Sequence, residues 1–372
     1  MKRYFSAVTA VLLLIVFIAG ADIAREGAKA GLALSFHMAV PALFPFFIAG
    51  TLLTDTGVTA WLGRACGWLM WKLYGLPGQA ASAIILGFTG GYPIGVQAAA
   101  DLYTAGQLNR AQAQRLLGFC NNTGPAFIIG VCGAGVFGSV RVGLILYFLH
   151  IVSALLTGLA LTTAGHGKGE SYQPPAPAGS LPFPAALVHA CERAAQSSIK
   201  IAAFITLFSI LSALLEQSGI LRLLTDCLTP AALRIGIPAE GISPFLLGGM
   251  ELTRGLAILP EAGLPYRLAL PLASGLLAFG GLSVWCQSLS LAAASGLSLK
   301  RCFVGKTLHA AIATALTVFW CAAMPGAVPA FAPGQAPVFP FGMKVIPLII
   351  IGFYMAFRAC HAQFYANQSI SR

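Results

Sequence analysis

Charge is scarce in this chain: Asp, Glu, Lys and Arg make up 9% of its 372 residues. Soluble domains carry about 25%, so water is excluded as the main solvent. Acid is scarcer still, with 11 Asp and Glu against 22 Lys and Arg. The net charge of +11 raises the question of nucleic acid, but that use needs basic side chains gathered on one face. They stand instead one to three at a time between apolar runs, the arrangement that orients membrane helices. Nucleic acid is therefore excluded as a partner.

Other signatures are missing too. The nine cysteines include no CxxC pair and lie in or beside apolar segments, so they read as small packing residues rather than a disulfide scaffold. GxSxG, HExxH and Walker-type loops are absent, which leaves no enzyme signature, no cofactor motif and no ATP site for a primary pump. No metal site is expected either.

What the chain has in abundance is apolar sequence, 58% of residues. A membrane span needs about 20 mainly apolar residues, and such runs occur at about 4–21, 33–53, 115–138, 140–163, 196–216, 267–295, 302–324 and 343–358. The first follows Lys2 and Arg3 and ends near an Ala19-Gly20-Ala21 cleavage-like site. An uncleaved first span is expected, because more membrane segments follow at once. Stretches 57–74 and 219–235 mix apolar residues with Trp, Arg, Lys or Asp and read as interfacial helices. Stretches 78–101 and 239–260 are apolar but interrupted by Gly-Gly, Pro or charge. Polar or Pro-rich loops are expected at 164–186 and 325–340.

The midpoint linker divides two stretches that match in order. Leu52-Leu53 with Gly57 matches Leu214-Leu215 with Gly219; Gly75-Leu76-Pro77 matches Gly236-Ile237-Pro238. Gly90-Gly91 matches Gly248-Gly249, Leu116-Leu117-Gly118-Phe119 matches Leu276-Leu277-Ala278-Phe279, and His150 matches His309. The offsets are 162, 161, 158, 160 and 159. An internal repeat follows. If each interrupted stretch dips into the membrane and returns, each half crosses three times and the second is upside down. The expected fold is an all-α polytopic membrane protein, an inverted repeat with two re-entrant hairpins, two broken transmembrane helices and about eight crossings. Its parts are an N-terminal helix and short external loop (1–30), a first repeat (31–163), a polar linker (164–190), an inverted second repeat (191–324), and a loop with C-terminal helix (325–372). With the N-terminus inside, 14 basic residues, Lys306 among them, fall on the inner side and seven on the outer, in keeping with the positive-inside rule.

Four interruptions carry the chemistry: Gly90–Gly95, Cys120–Pro125, Gly248–Gly255 and Phe279–Gln287. Lipid cannot satisfy free N–H and C=O groups, so broken backbone at membrane depth faces protein or a watery cavity. Half-helix ends there offer N–H groups to anions and carbonyls to cations. Glu251 is the sharpest residue, since a mid-bilayer charge costs roughly 2.5–3.5 kcal/mol on insertion scales. Its bland reading is an ion pair with Arg254, one turn on. Asn121, Asn122 and Thr123 supply amide, carbonyl and hydroxyl groups in a row, as do Ser283 and Gln287 one turn apart; interhelical gluing is the alternative for both sets. His150 and His309 are expected to pack or hydrogen-bond between helices, and Tyr92-Pro93 to shape a hairpin tip.

The stretches VPALFPFFIAGTLLTDTGV, GGYPIGVQAAADLYTAGQL, AQRLLGFCNNTGPAFIIG and GGLSVWCQS resemble the YlbJ-type sporulation integral membrane proteins of the nucleoside-recognition (Gate) group. The resemblance runs from about residue 30 to 324. The element order is also similar to concentrative nucleoside transporters. By that resemblance Gly91, Asn121, Asn122, Thr123, Glu251 and Ser283 would line a substrate and ion site, with Gln287 beside it. The first tip departs from the transporters' Gln-Thr-Glu type sequence in having Gly90-Gly91-Tyr92-Pro93, which leaves the solute open. The resemblance implies a role in spore formation, at the cortex or engulfment stage. The expected function is a multi-pass permease of the inner (cytoplasmic) membrane, a secondary transporter of a small polar solute or ion, with the lipid bilayer as a partner and both a coupling cation and a homo-oligomer left open. The rival is a non-transporting scaffold or partner subunit in envelope assembly.

Overall fold

The computed structural model describes residues 2–163, 180–234 and 236–324. The expected span 343–358, the loop 325–340 and most of the midpoint linker lie outside them.

All regular structure among the described residues is helical. The first half runs α1 (Lys2–Ala19), α2 (Ala21–Leu34), α3 (Val40–Asp55), α4 (Val58–Ala65), α5 (Gly67–Tyr74), α6 (Ala80–Gly90), α7 (Ile94–Thr104), α8 (Arg110–Leu116) and α9 (Val140–Thr163). The second runs α10 (Phe183–Gln217), α11 (Ile220–Arg234), α12 (Ile242–Met250), α13 (Leu252–Ala257), α14 (Tyr266–Phe279), α15 (Gly281–Ala294) and α16 (Lys300–Ala323). Two segments, Ser35–Ala39 and Ala126–Val136, are wound as π-helix, a form often found at functional positions.

Among the described residues, four helical stretches are long and apolar enough to cross a membrane: Val140–Thr162, Phe183–Gln217, Tyr266–Ala294 and Lys300–Ala323. A fifth arises if α1 and α2, bent by 96°, count as one. The expected span 33–53 is a π-helical turn running into α3, and 115–138 is α8, a non-helical break and the π-helix. The stretch 196–216 is part of a 35-residue helix, α10.

Helix α10 forms the spine for α2 and α3. The approach of α2 depends on Gly27 and Gly31, spaced as GxxxG: a Cβ at Gly31 would lie 2.6 Å from Thr206 Cα, and one at Gly27 2.9 Å from Ile210 Cα. Small residues at that spacing let backbones touch where lipid offers no hydrophobic drive. A second buried cluster joins α6, α7 and α8 through Leu76, Ala83, Val96, Leu116 and Phe119. A third joins the π-helix to α13 and α14 through Phe127, Ile128, Leu256 and Leu270.

Local chemistry sets where helices stop. Helix α5 ends on Gly75 at φ +58°, a left-handed position that suits glycine. Helix α8 starts with a capping box: Asn109 Oδ1 accepts from Gln112 N–H, and Gln112 Oε1 accepts from Asn109 N–H, both at 2.9 Å.

Candidate site at the helix breaks

Each interruption named from the sequence is a real break. Helix α6 stops at Gly90, and Gly91 takes φ +76°, ψ −168°, a region open essentially to glycine alone. The Tyr92-Pro93 peptide is cis, and α7 starts at Ile94. Helix α12 stops at Met250, Glu251 is extended, and α13 starts at Leu252. Residues 120–124 are non-helical. Helices α14 and α15 part at Gly280 and Gly281, at φ +88° and +77°.

The pair α6 and α7 clasps the first broken segment. A Cβ at Gly87 would stand 1.7 Å from the Cys120 carbonyl oxygen, and one at Gly95 2.1 Å from it. The pair α12 and α13 is pressed together by its own glycines, a Cβ at Gly255 falling 2.2 Å from Gly248 Cα, and the second break rests on it through Gly281, whose Cβ would lie 2.9 Å from Gly248 O. The tip of the first pair rests on the first break, since a Cβ at Gly91 would sit 2.8 Å from Gly124 N.

A broken helix leaves C-terminal carbonyls without partners. Two hydroxyls supply donors at the end of α14: Thr123 Oγ1 donates to Leu277 O at 2.7 Å, and Tyr92 OH lies 3.2 Å from both Leu277 O and Ala278 O. Tyr92 thus joins the α6–α7 tip to the α14–α15 break.

Glu251 is 2% exposed. Its carboxylate caps α13, accepting from Arg254 N–H at 2.7 Å. The expected alternative, an ion pair between the two side chains, is replaced by a different one: the Arg254 guanidinium turns to Glu216. The carboxylate therefore answers backbone N–H groups at a helix start, a position that favours negative charge.

Thr123, Glu251, Ser283 and Gln287 line one cavity of about 50 Å³, together with Tyr92 and Phe127. That exceeds the roughly 10–15 Å³ one water needs and is far below the ~300–1,000 Å³ of small-molecule pockets. Gln287 Nε2 lies 3.4 Å from Ser283 Oγ. The other expected residues sit beside this cavity rather than on its wall. Asn121 Nδ2 donates to Ser288 Oγ at 3.0 Å and Asn122 Nδ2 to Phe119 O at 2.9 Å. The side-chain oxygens of both asparagines are buried without a partner. Gly91 shapes the tip.

A larger cavity of about 410 Å³ adjoins the inner one, Gln287 and Ile201 lining both. Its walls come from α3, α6, α7, α10 and α15 and carry Asp55, Asp101, His189, Arg193 and Lys200. His189 Nδ1 lies 2.7 Å from Asp55 Oδ2, and Arg193 lies 3.6 Å from Asp101. Sequence reasoning missed this vestibule, because its residues are spread over five helices with no shared motif.

Sequence reasoning also missed Lys306. Placed on the inner surface by the charge count, it is 1% exposed. Its ammonium donates to Asn121 O at 2.8 Å, lies 3.2 Å from His309 Nδ1, and stands 4.9 Å from the Tyr92 ring centroid. His150 and His309 meet as expected: their ring centroids are 4.6 Å apart, and His309 Nε2 lies 3.2 Å from His150 O. His150 Nε2 accepts from Thr123 N–H at 3.2 Å. The signal for Lys306 was its position several residues inside an apolar helix, three before a histidine.

Comparisons with known proteins agree with this architecture. Residues 36–139 match the Gate family, described as nucleoside recognition. The sporulation integral membrane protein YlbJ of Bacillus subtilis (strain 168) is 25% identical over 305 residues, covering 76% of this chain and 74% of that protein. The fold is similar to that of the concentrative nucleoside transporter CNTnw. CNTnw N149L in its intermediate 2 state matches with a TM-score of 0.51 at 14% identity, over 86% of this chain and 85% of that one. In its intermediate 3 state the TM-score is 0.50 at 16% identity, over the same shares. The chain is a multi-pass membrane protein with a Gate-matching segment and a transporter-like fold.

Proposed function

We propose that the chain is a permease of the inner (cytoplasmic) membrane that moves a small polar solute by alternating access. One observation carries this reading: Thr123, Glu251, Ser283 and Gln287, from three separate breaks, line one small cavity that adjoins a vestibule of about 410 Å³. The vestibule has the volume of a small-molecule pocket and the mixed charge and amide lining of a polar solute's path. The inner cavity has room for a small part of a solute at a time. Access then requires movement of the α6–α7 and α12–α13 hairpins about the breaks.

The reading takes 31–163 and 191–324 as two repeats, the second inverted, each with a re-entrant hairpin and a broken span. Its support is a glycine pair facing itself inside each hairpin, Gly87 with Gly95 and Gly248 with Gly255: Gly87 and Gly248 stand 161 residues apart, and Gly95 and Gly255 stand 160 apart. This register differs slightly from the Gly90-Gly91 with Gly248-Gly249 pairing. The similarity to YlbJ supports service in spore formation, and the Gate match and the transporter-like fold support a nucleoside-sized solute.

The test is complementation of a chromosomal deletion in the host, with membrane insertion checked by fractionation. Glu251→Gln and Asn122→Ala are expected to insert normally and to lose function. Full complementation by both removes the assigned site. One observation favours the scaffold reading: Lys306 donates to Asn121 O of the first break and stands over the Tyr92 ring of the first tip, tying the two together. Normal function in both variants would favour it.

A further inference from the structure

Lys306 is a buried cation that the permease reading leaves unused. Its setting is built rather than incidental. Gly305, its chain neighbour, lets α16 press onto the chain before the first break: a Cβ there would lie 2.0 Å from Gly118 O. That contact delivers the ammonium to Asn121 O, a backbone carbonyl of the unwound segment. The Tyr92 ring, from the hairpin tip, lies below it and offers the π-face that attracts cations. Among the described residues, no carboxylate pairs with it; its hydrogen-bonding partners are that carbonyl and His309. Two further carbonyl oxygens of the same segment, Asn121 Oδ1 and Asn122 Oδ1, are buried without partners. Carbonyl oxygens of unwound chain at membrane depth are the groups that hold hard cations.

We propose that Lys306 is a tethered cation. Its ammonium holds the first hairpin tip, the first break and α16 together in the place a dissolved cation would otherwise take, so the site needs no sodium ion. For transport this means that solute movement does not draw on a sodium gradient; that consequence rests on the permease reading, whereas the cation site itself does not.

The test is thermal unfolding of purified full-length protein in choline chloride, sodium chloride or methylammonium chloride at equal ionic strength, with no solute added. Wild type should unfold at the same temperature, within about 1 °C, in all three. Lys306→Ala and Lys306→Gln should unfold at least about 5 °C lower in choline, and sodium or methylammonium should restore half or more of the loss in Lys306→Ala by binding the folded state. Stabilisation of wild type by sodium overturns the proposal. So does a Lys306→Ala protein that responds to neither cation, or failure of both variants to fold even when methylammonium is supplied during growth and extraction. The same cation effect combined with no response to any solute in a separate metabolite screen would leave the tethered cation standing and remove the permease, so the two failures are distinguishable.

Discussion

Replacing Gly87 by alanine tests whether the α6–α7 pair clasps the first break. The new Cβ would stand 1.7 Å from Cys120 O, whereas carbon–oxygen contacts normally begin near 3.3 Å. The hairpin must then retreat by roughly 1.5 Å from backbone that cannot rotate away. Overpacking of this kind costs about 3 kcal/mol or more, offset by about 1 kcal/mol of helix propensity gained over glycine. At about 2.1 cal/mol/K of unfolding entropy per residue, the net loss of about 2 kcal/mol lowers the unfolding temperature of a chain this long by about 2–3 °C. The five tryptophans report unfolding by intrinsic fluorescence in detergent. Gly249→Ala is the control. It lies in the other hairpin with nothing within 4 Å of its would-be Cβ, so propensity alone acts and stability should hold or rise by up to ~1 kcal/mol. A Gly87→Ala protein as stable as wild type, or a Gly249→Ala protein that falls equally, would refute the clasp.

Two further substitutions probe the scaffold around the site. Arg115 is 6% exposed and its Nη1 lies 3.3 Å from the carbonyls of Tyr74 and Gly75. Arg115→Ala strands buried acceptors and should cost about 1–3 kcal/mol in thermal unfolding; no change would show those bonds to be idle. Gly31→Leu sets a branched side chain against Thr206 Cα and should detach α2 from α10, exposing 21–34 to protease; unchanged cleavage would count against the glycine seam.

The breaks were legible because each places Gly, Pro or Asn within an apolar run, and membrane depth gives unwound chain few other uses. Glu251 was legible for the same reason. Its partner was not: Arg254 follows by three residues, the spacing of a helical ion pair, yet the turn at Met250–Leu252 aims the carboxylate at backbone N–H groups and leaves the guanidinium to Glu216 on α10. Lys306 was misplaced because Lys300 and Arg301 lie just before it and read together with it as an interfacial cluster. The close approach of Gly305 to Gly118 brings α16 against the chain before the first break, where Lys306 is buried. The vestibule was invisible in sequence, since a cavity wall made by five helices has no period and no motif. The 35-residue length of α10 was hidden likewise, because Glu192, Arg193 and Lys200 look like a membrane boundary, whereas Arg193 and Lys200 line the vestibule.

Ligand-dependent thermal stabilisation, measured on purified wild type and Glu251→Gln in choline buffer against a panel of small polar metabolites with nucleosides included, tests the pocket most directly. At a hundredfold excess over Kd a specific solute adds about 2.7 kcal/mol to the folded state. At least one solute should raise the unfolding temperature of wild type and leave Glu251→Gln unmoved. Wild type indifferent to every solute, or a solute that stabilises both proteins equally, would contradict a binding pocket at the helix breaks.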